Sequence, residues 1–180
     1  MKKIFNAWPA DWPRSLNYPE QPVFSFLDHT AERVPDRLAI IFGGMELTFG
    51  ELKNLADRFA AALTSMGVRK GDKVAIHLPN LPQTVIAFHA VLALGGVAVM
   101  TNPLYVAREI EHQWNDADCR VAITMDFLWR DRIQGIRERL PVRKYVIASI
   151  PEYLGFPLNL LAPLKLKRHA PPLVASVEET

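Results

Sequence analysis

The residues of this chain that could do chemistry are few, and their spacing argues against most of the chemistry they could do. His112 and Asp116 stand four apart on one prospective helix and could share a metal ion, but two donors do not make a metal site. His77 falls in an apolar strand pattern and His89 in an apolar helix pattern, with no Ser or Cys nucleophile in a recognisable elbow beside either. Both read as satisfied core or surface histidines. Cys119, between Asp118 and Arg120, is the sole cysteine, so there is no internal disulfide and no thiolate cluster for a metal. It reads as an inert, partly buried thiol, and its solitude fits a reducing cytoplasm. Gly43-Gly44 and Gly95-Gly96 match neither a dinucleotide loop nor a Walker loop, and Gly95-Gly96 precedes a strand, where a helix stop is expected rather than a phosphate cradle. No catalytic residue and no metal ligand is therefore assigned. One segment is placed to meet a ligand: Asn102 and Pro103 end a strand abruptly, and Leu104 and Tyr105 project before the next helix. Parallel sheets take their ligands at such strand ends.

The elements that would position this segment follow from periodicity. Residues 1–22 carry Trp8, Pro9, Trp12, Pro13, Pro19 and Pro22 and predict an extended arm anchored by its tryptophans. From Phe24, apolar residues at helical spacing run to Val34, where Pro35 stops them. Two apolar runs around Gly43-Gly44 predict a tight hairpin. Thr48 and Glu51 form a capping box for a helix whose face of Leu52, Leu55, Ala56, Phe59, Leu63 and Met66 ends at Gly67. Strand patterns then begin at Lys73, Val97, Val121 and Lys144, each pair separated by a helical pattern, and Trp129, Ile133, Ile136 and Leu140 share one face of the last. A strand plus its crossover helix has about that length. The fold class is α/β, with consecutive βα units forming a mostly parallel sheet with helices on both faces. The domain reading is an arm at 1–22, an α/β subdomain at 23–150, and a proline, leucine and basic excursion at 151–180.

Bulk properties remove several function classes. With 49% hydrophobic and 22% charged residues the 180-residue chain is globular rather than disordered. Its net charge of +2 is too small and too evenly spread to argue for nucleic acid. No uncharged apolar stretch reaches the roughly 18 residues of a spanning helix, and Asn6, Pro9, Asp11 and Pro13 interrupt any export signal.

Read together, LTFGEL at 47–52 and LALGGVAVMTNP at 92–103 resemble the first two core motifs of the AMP-forming adenylate family, which includes acyl-CoA synthetases, luciferases and peptide-synthetase adenylation domains. NPLY followed by REIEHQWNDAD, and the later PLNLLAPLKLKRH, look most like bacterial long-chain fatty acid CoA ligases. The resemblance runs from about Asn17 onward and marks the chain as the N-terminal part of a larger adenylate-forming fold. It implies an enzyme that activates a fatty acid with ATP and magnesium (Mg2+) to an acyl adenylate and then passes the acyl group to CoA. It also implies that Asn102, Pro103, Leu104 and Tyr105 line the tunnel by which CoA approaches. The family's Ser/Thr/Gly-rich phosphate loop, its adenine and ribose motifs and its catalytic lysine are expected downstream of Thr180, so the 180 residues alone are expected to be inactive, with no cofactor held tightly. Family members are often dimeric through their N-terminal part, which makes a homodimer an expectation here. The alternative is a freestanding, non-catalytic α/β module that binds a nucleotide or an acyl group. Leu158, Leu161 and Leu164 beside Lys165, Lys167 and Arg168 suggest peripheral contact of Leu158 to Arg168 with an anionic membrane, at the inner face if the protein is cytoplasmic.

Overall fold

The computed structural model describes Pro9, residues 11–13 and 15–149, and the main chain of 177–179. Trp8 and the prospective membrane segment Leu158 to Arg168 lie outside the described residues. Trp12 is 60% exposed.

Helix α1 (Phe24–Arg33) leads to a hairpin of β1 (Leu38–Phe42) and β2 (Met45–Thr48). Gly43 and Gly44 make its turn with φ of 55° and 83°, a conformation open to glycine at little cost. Helix α2 (Phe49–Ser65) starts on the anticipated capping box: Thr48 Oγ1 accepts from Glu51 N–H at 3.2 Å, and Glu51 Oε2 accepts from Thr48 N–H at 2.9 Å.

The four βα strands start where the apolar pattern placed them: β3 (Lys73–His77), β4 (Val97–Met100), β5 (Val121–Met125) and β6 (Lys144–Ala148). Helix α3 (Pro82–Ala93) joins the first two and α4 (Ala107–Ala117) the next. All four strands run parallel, in the order β4-β3-β5-β6, with β7 (Val177–Glu179) antiparallel on β6. That last strand falls within the stretch read as an excursion from the sheet.

Strand order dictates the layering. The step from β3 to β4 moves one way along the sheet, and the steps to β5 and β6 move the other way. Right-handed crossovers in opposite directions must use opposite faces. Accordingly α2 and α3 bury Leu63, Ala90 and Val91 against Val74, Ile76 and Ile123 on one face. On the other, α4 and the connection from β5 to β6 bury Ile110, Trp114, Trp129 and Ile133 against Ala75, Ala122 and Tyr145. That connection is not the single regular helix its spacing predicted. A helical turn at Asp126–Leu128 passes into a π turn at Trp129–Ile133 and then 3-10 turns at Gln134–Arg139. The anticipated face stays buried even so, because Trp129, Ile133, Ile136 and Leu140 all reach the core.

Candidate functional site

Reversal of direction between β3 and β5 creates a crevice at their carboxyl ends, the place where open α/β sheets bind ligands. His77 ends β3 and Thr124 lies opposite it on β5. The His77 ring is fully buried, and its Nδ1 lies 3.2 Å from Thr124 Oγ1. Trp114 of α4 meets the ring edge-on, with centroids 6.1 Å apart. The Trp114 indole N–H in turn donates to Thr101 Oγ1 at 2.9 Å. Thr101 N–H extends the ladder to Ile76 C=O at 3.0 Å. Burial pushes the His77 imidazole down to about 4, helped by the charge of Arg132 and opposed by the main chain of Asn102. The ring is therefore neutral at physiological pH. The sequence left His77 as a satisfied core or surface histidine; it lies in the core, and its Nε2 makes no hydrogen bond among the described residues.

Asn102 to Tyr105 form a turn at the carboxyl end of β4, one strand away from the crevice. Asn102 C=O accepts from Tyr105 N–H at 3.0 Å, and Asn102 Oδ1 accepts from Leu104 N–H at 3.0 Å. A short polar side chain that closes a turn on its own backbone explains why asparagine stands there, and Pro103 fixes the following φ. Leu104 projects into solvent at 81% exposure. Beyond Tyr105 an open groove of about 1000 Å3 runs along α4, past Arg108, Glu109 and His112. His112 and Asp116 border this groove, but no group of three or more His, Cys, Asp or Glu side chains among the described residues could hold a metal ion.

The other candidates keep the roles their surroundings give them. Cys119 is fully buried, more than the sequence implied, and burial together with Asp118 pushes its thiol up to about 12, with Lys73 opposing. It is an inert core residue. His89 is held below its usual value by burial, with Asp28 pulling the other way. Gly95, with φ of 68°, ends α3, and a Cβ on Gly96 would sit 3.1 Å from the Val91 carbonyl oxygen, so this pair stops the helix and lets it pack closely.

Among the described residues, the ends of β3, β4 and β5 do not suit a nucleoside triphosphate or its magnesium. Phosphate needs free backbone N–H groups at a helix start. At α4 the carboxylate of Glu109 already takes Val106 N–H at 2.9 Å, and after β5 the carboxylate of Asp126 takes Phe127 N–H at 2.7 Å. Either carboxylate would repel a phosphate. The start of α3 is occupied by Pro82, which has no N–H to offer. The residues at these three strand ends therefore do not fit ATP and Mg2+.

The model of the AMP-binding enzyme family matches residues 27–166 of the chain. The chain belongs to that family. A long-chain-fatty-acid–CoA ligase of Bacillus subtilis is 43% identical over 161 residues, which cover 89% of this chain and 29% of the relative. A solved long-chain-fatty-acid–CoA ligase from Archaeoglobus fulgidus superposes with a TM-score of 0.68 at 23% identity, over 74% of this chain and 28% of its own, a likeness of fold. An anthranilate CoA ligase solved with anthranoyl-AMP superposes with a TM-score of 0.67 at 26% identity, over 88% of this chain and 29% of its own. The chain thus spans under a third of the length of the family members it matches. Within that stretch the parallel α/β architecture is the family's, and the motifs at 47–52 and 92–103 fall on the start of α2 and on the passage from α3 through β4 into the 102–105 turn.

Proposed function

We propose that the chain forms the N-terminal part of an AMP-forming fatty acid CoA ligase. In this reading the whole enzyme converts a fatty acid and ATP, with magnesium, to an acyl adenylate and pyrophosphate, then transfers the acyl group to the CoA thiol. The observation that carries the reading is the 43% identity to the Bacillus subtilis ligase across nearly the whole chain. These residues serve as scaffold and as part of the CoA approach. Asn102, Pro103, Leu104 and Tyr105 line that approach and do no chemistry. An exposed Leu104 beside an open groove with Arg108 suits a long, thin arm that ends in phosphate.

Fatty-acid-dependent pyrophosphate release and acyl-CoA formation test the reading. A protein that continues this sequence to the length of its relatives should show both, and the 180 residues alone should show neither. Turnover by the 180 residues alone would mean that the chain holds a phosphate site that the ends of β3, β4 and β5 do not offer. CoA titrated against the isolated chain should shift the amide resonances of 102–105; a response confined elsewhere would remove those residues from the CoA path. Membrane contact through Leu158 to Arg168 at the inner face of the membrane, and pairing of two copies, are finer parts of the same reading. The first rests on the leucine and cation pattern of that segment, and salt-insensitive or absent sedimentation with anionic liposomes would end it.

A further inference from the structure

We infer that His77 is a positioning residue for the 102–105 turn: from beneath the crevice its Nε2 holds the main chain of Asn102 and so fixes where Leu104 and Tyr105 project. The functional side of this inference rests on the reading that the turn lines the path of CoA.

A buried imidazole in an otherwise apolar strand carries a desolvation cost that a leucine or methionine would not, so its polar atoms call for partners. Nδ1 has one in Thr124 Oγ1. Nε2 has none with hydrogen-bond geometry among the described residues. The ring cannot turn away to find one, because Trp114 stands against its edge and is itself tied to Thr101. Register then says what lies beside it. Ile76 pairs with Met100, and Thr101 N–H continues the ladder to Ile76 C=O, so the residue after Ile76 comes alongside Thr101 and Asn102. The Asn102 main chain is close enough to favour the protonated ring, as a carbonyl oxygen facing a ring N–H would. That carbonyl already accepts from Tyr105 N–H and has a second lone pair to offer. A small approach of the ring lets Nε2–H donate to Asn102 C=O while Thr124 O–H donates to Nδ1, and both ring nitrogens are then satisfied. The first residue of the turn is then tied to the floor of the crevice.

The test uses the isotope-labelled 180-residue chain and two substitutions that each keep one half of the ring's function. His77→Gln places an amide N–H near the position of Nε2, and His77→Asn places one near Nδ1. In the unsubstituted chain the ring nitrogen resonances should report the tautomer protonated on Nε2. H77Q should leave the amide shifts of Asn102, Leu104 and Tyr105 in place and keep the affinity for CoA within about two-fold. H77N should move those shifts and weaken CoA at least about five-fold. A ring protonated on Nδ1, or equal effects from both substitutions, would overturn the inference. If CoA does not bind the unsubstituted chain, the reading of the turn as CoA lining fails, while the tautomer and the amide shifts still decide whether His77 positions it. Should either variant fail to fold, the tautomer in the unsubstituted chain remains decisive.

Discussion

His77 carries a signature in stability as well as in position. Its imidazole ionises near 6.5 in an unfolded chain and at about 4 in the folded one, mainly because burial disfavours the charge. Between those values the unfolded chain takes up a proton that the folded chain refuses. Stability is therefore intact above pH 6.5 and falls as pH drops toward 4, by roughly 3 kcal/mol in all for a shift of this size. His89, also depressed by burial, adds to the same slope. Urea unfolding midpoints measured across that window should fall steadily in the unsubstituted chain and less steeply in H77Q, which has no group to titrate. Midpoints that rise on acidification, or that fall equally in both proteins, would contradict this account of the buried ring.

Three helices end in the same device at the scale of elements, and one of them ends with the wrong residue for it. At the end of α2, Gly67 N–H reaches Thr64 C=O at 2.9 Å and Val68 N–H reaches Leu63 C=O at 3.0 Å. At the end of α3, Gly95 and Gly96 do the same to Leu92 and Val91. At the end of α4, Asp118 and Cys119 do so to Asn115 and Trp114. The first residue of each pair must take a left-handed φ, which is 91° at Gly67, 68° at Gly95 and 53° at Asp118. A side chain there is strained, so Asp118→Gly should raise stability by about 1 kcal/mol. The exposed ion pair it loses with Arg120 offsets little of that. Gly95→Ala should cost about 1 kcal/mol or more, since its Cβ would also meet Lys70 Cγ at 3.0 Å. Calorimetric melting of both variants checks the pair, and a loss of stability in Asp118→Gly comparable to that in Gly95→Ala would refute the strain argument. The glycine stops were legible in the sequence, as were the four strand starts, because glycine and apolar runs are local signals. The break of the 126–139 connection into π and 3-10 turns was not. Apolar spacing records which side chains are buried and is nearly blind to the pitch that buries them. The partnership of His77 with Thr124 and Trp114 was equally hidden, since it depends on β5 rather than β4 lying on that side of β3, and strand order is a property of the whole sheet.

That order also leaves β4 at an edge of the five-stranded sheet. β4 pairs with β3 alone, so among the described residues its outer row of backbone donors and acceptors has no strand beside it. Val97 and Met100 on this strand are 47% and 48% exposed, and Leu104 and Val106 continue the apolar strip past its end. Exposed apolar edge strands invite pairing with another chain, and proteins usually blunt them with charge, proline or brevity. Here the strand is four residues long and carries no charge, and among the described residues the one side chain that caps its outer row is Gln113, whose Nε2 donates to Met100 C=O at 3.2 Å. The isolated chain should therefore self-associate weakly as its concentration rises, through β4 rather than through the hairpin at Gly43-Gly44. Val97→Lys puts a charge on the edge without touching the buried face of the sheet. Sedimentation velocity should show the weight-average mass climbing with concentration for the unsubstituted chain and staying flat for V97K, with unfolding midpoints for the two within about 0.5 kcal/mol. A V97K chain that associates as strongly as the original would move the contact to another surface, and an original chain that stays monomeric throughout would mean that four short residues are protection enough.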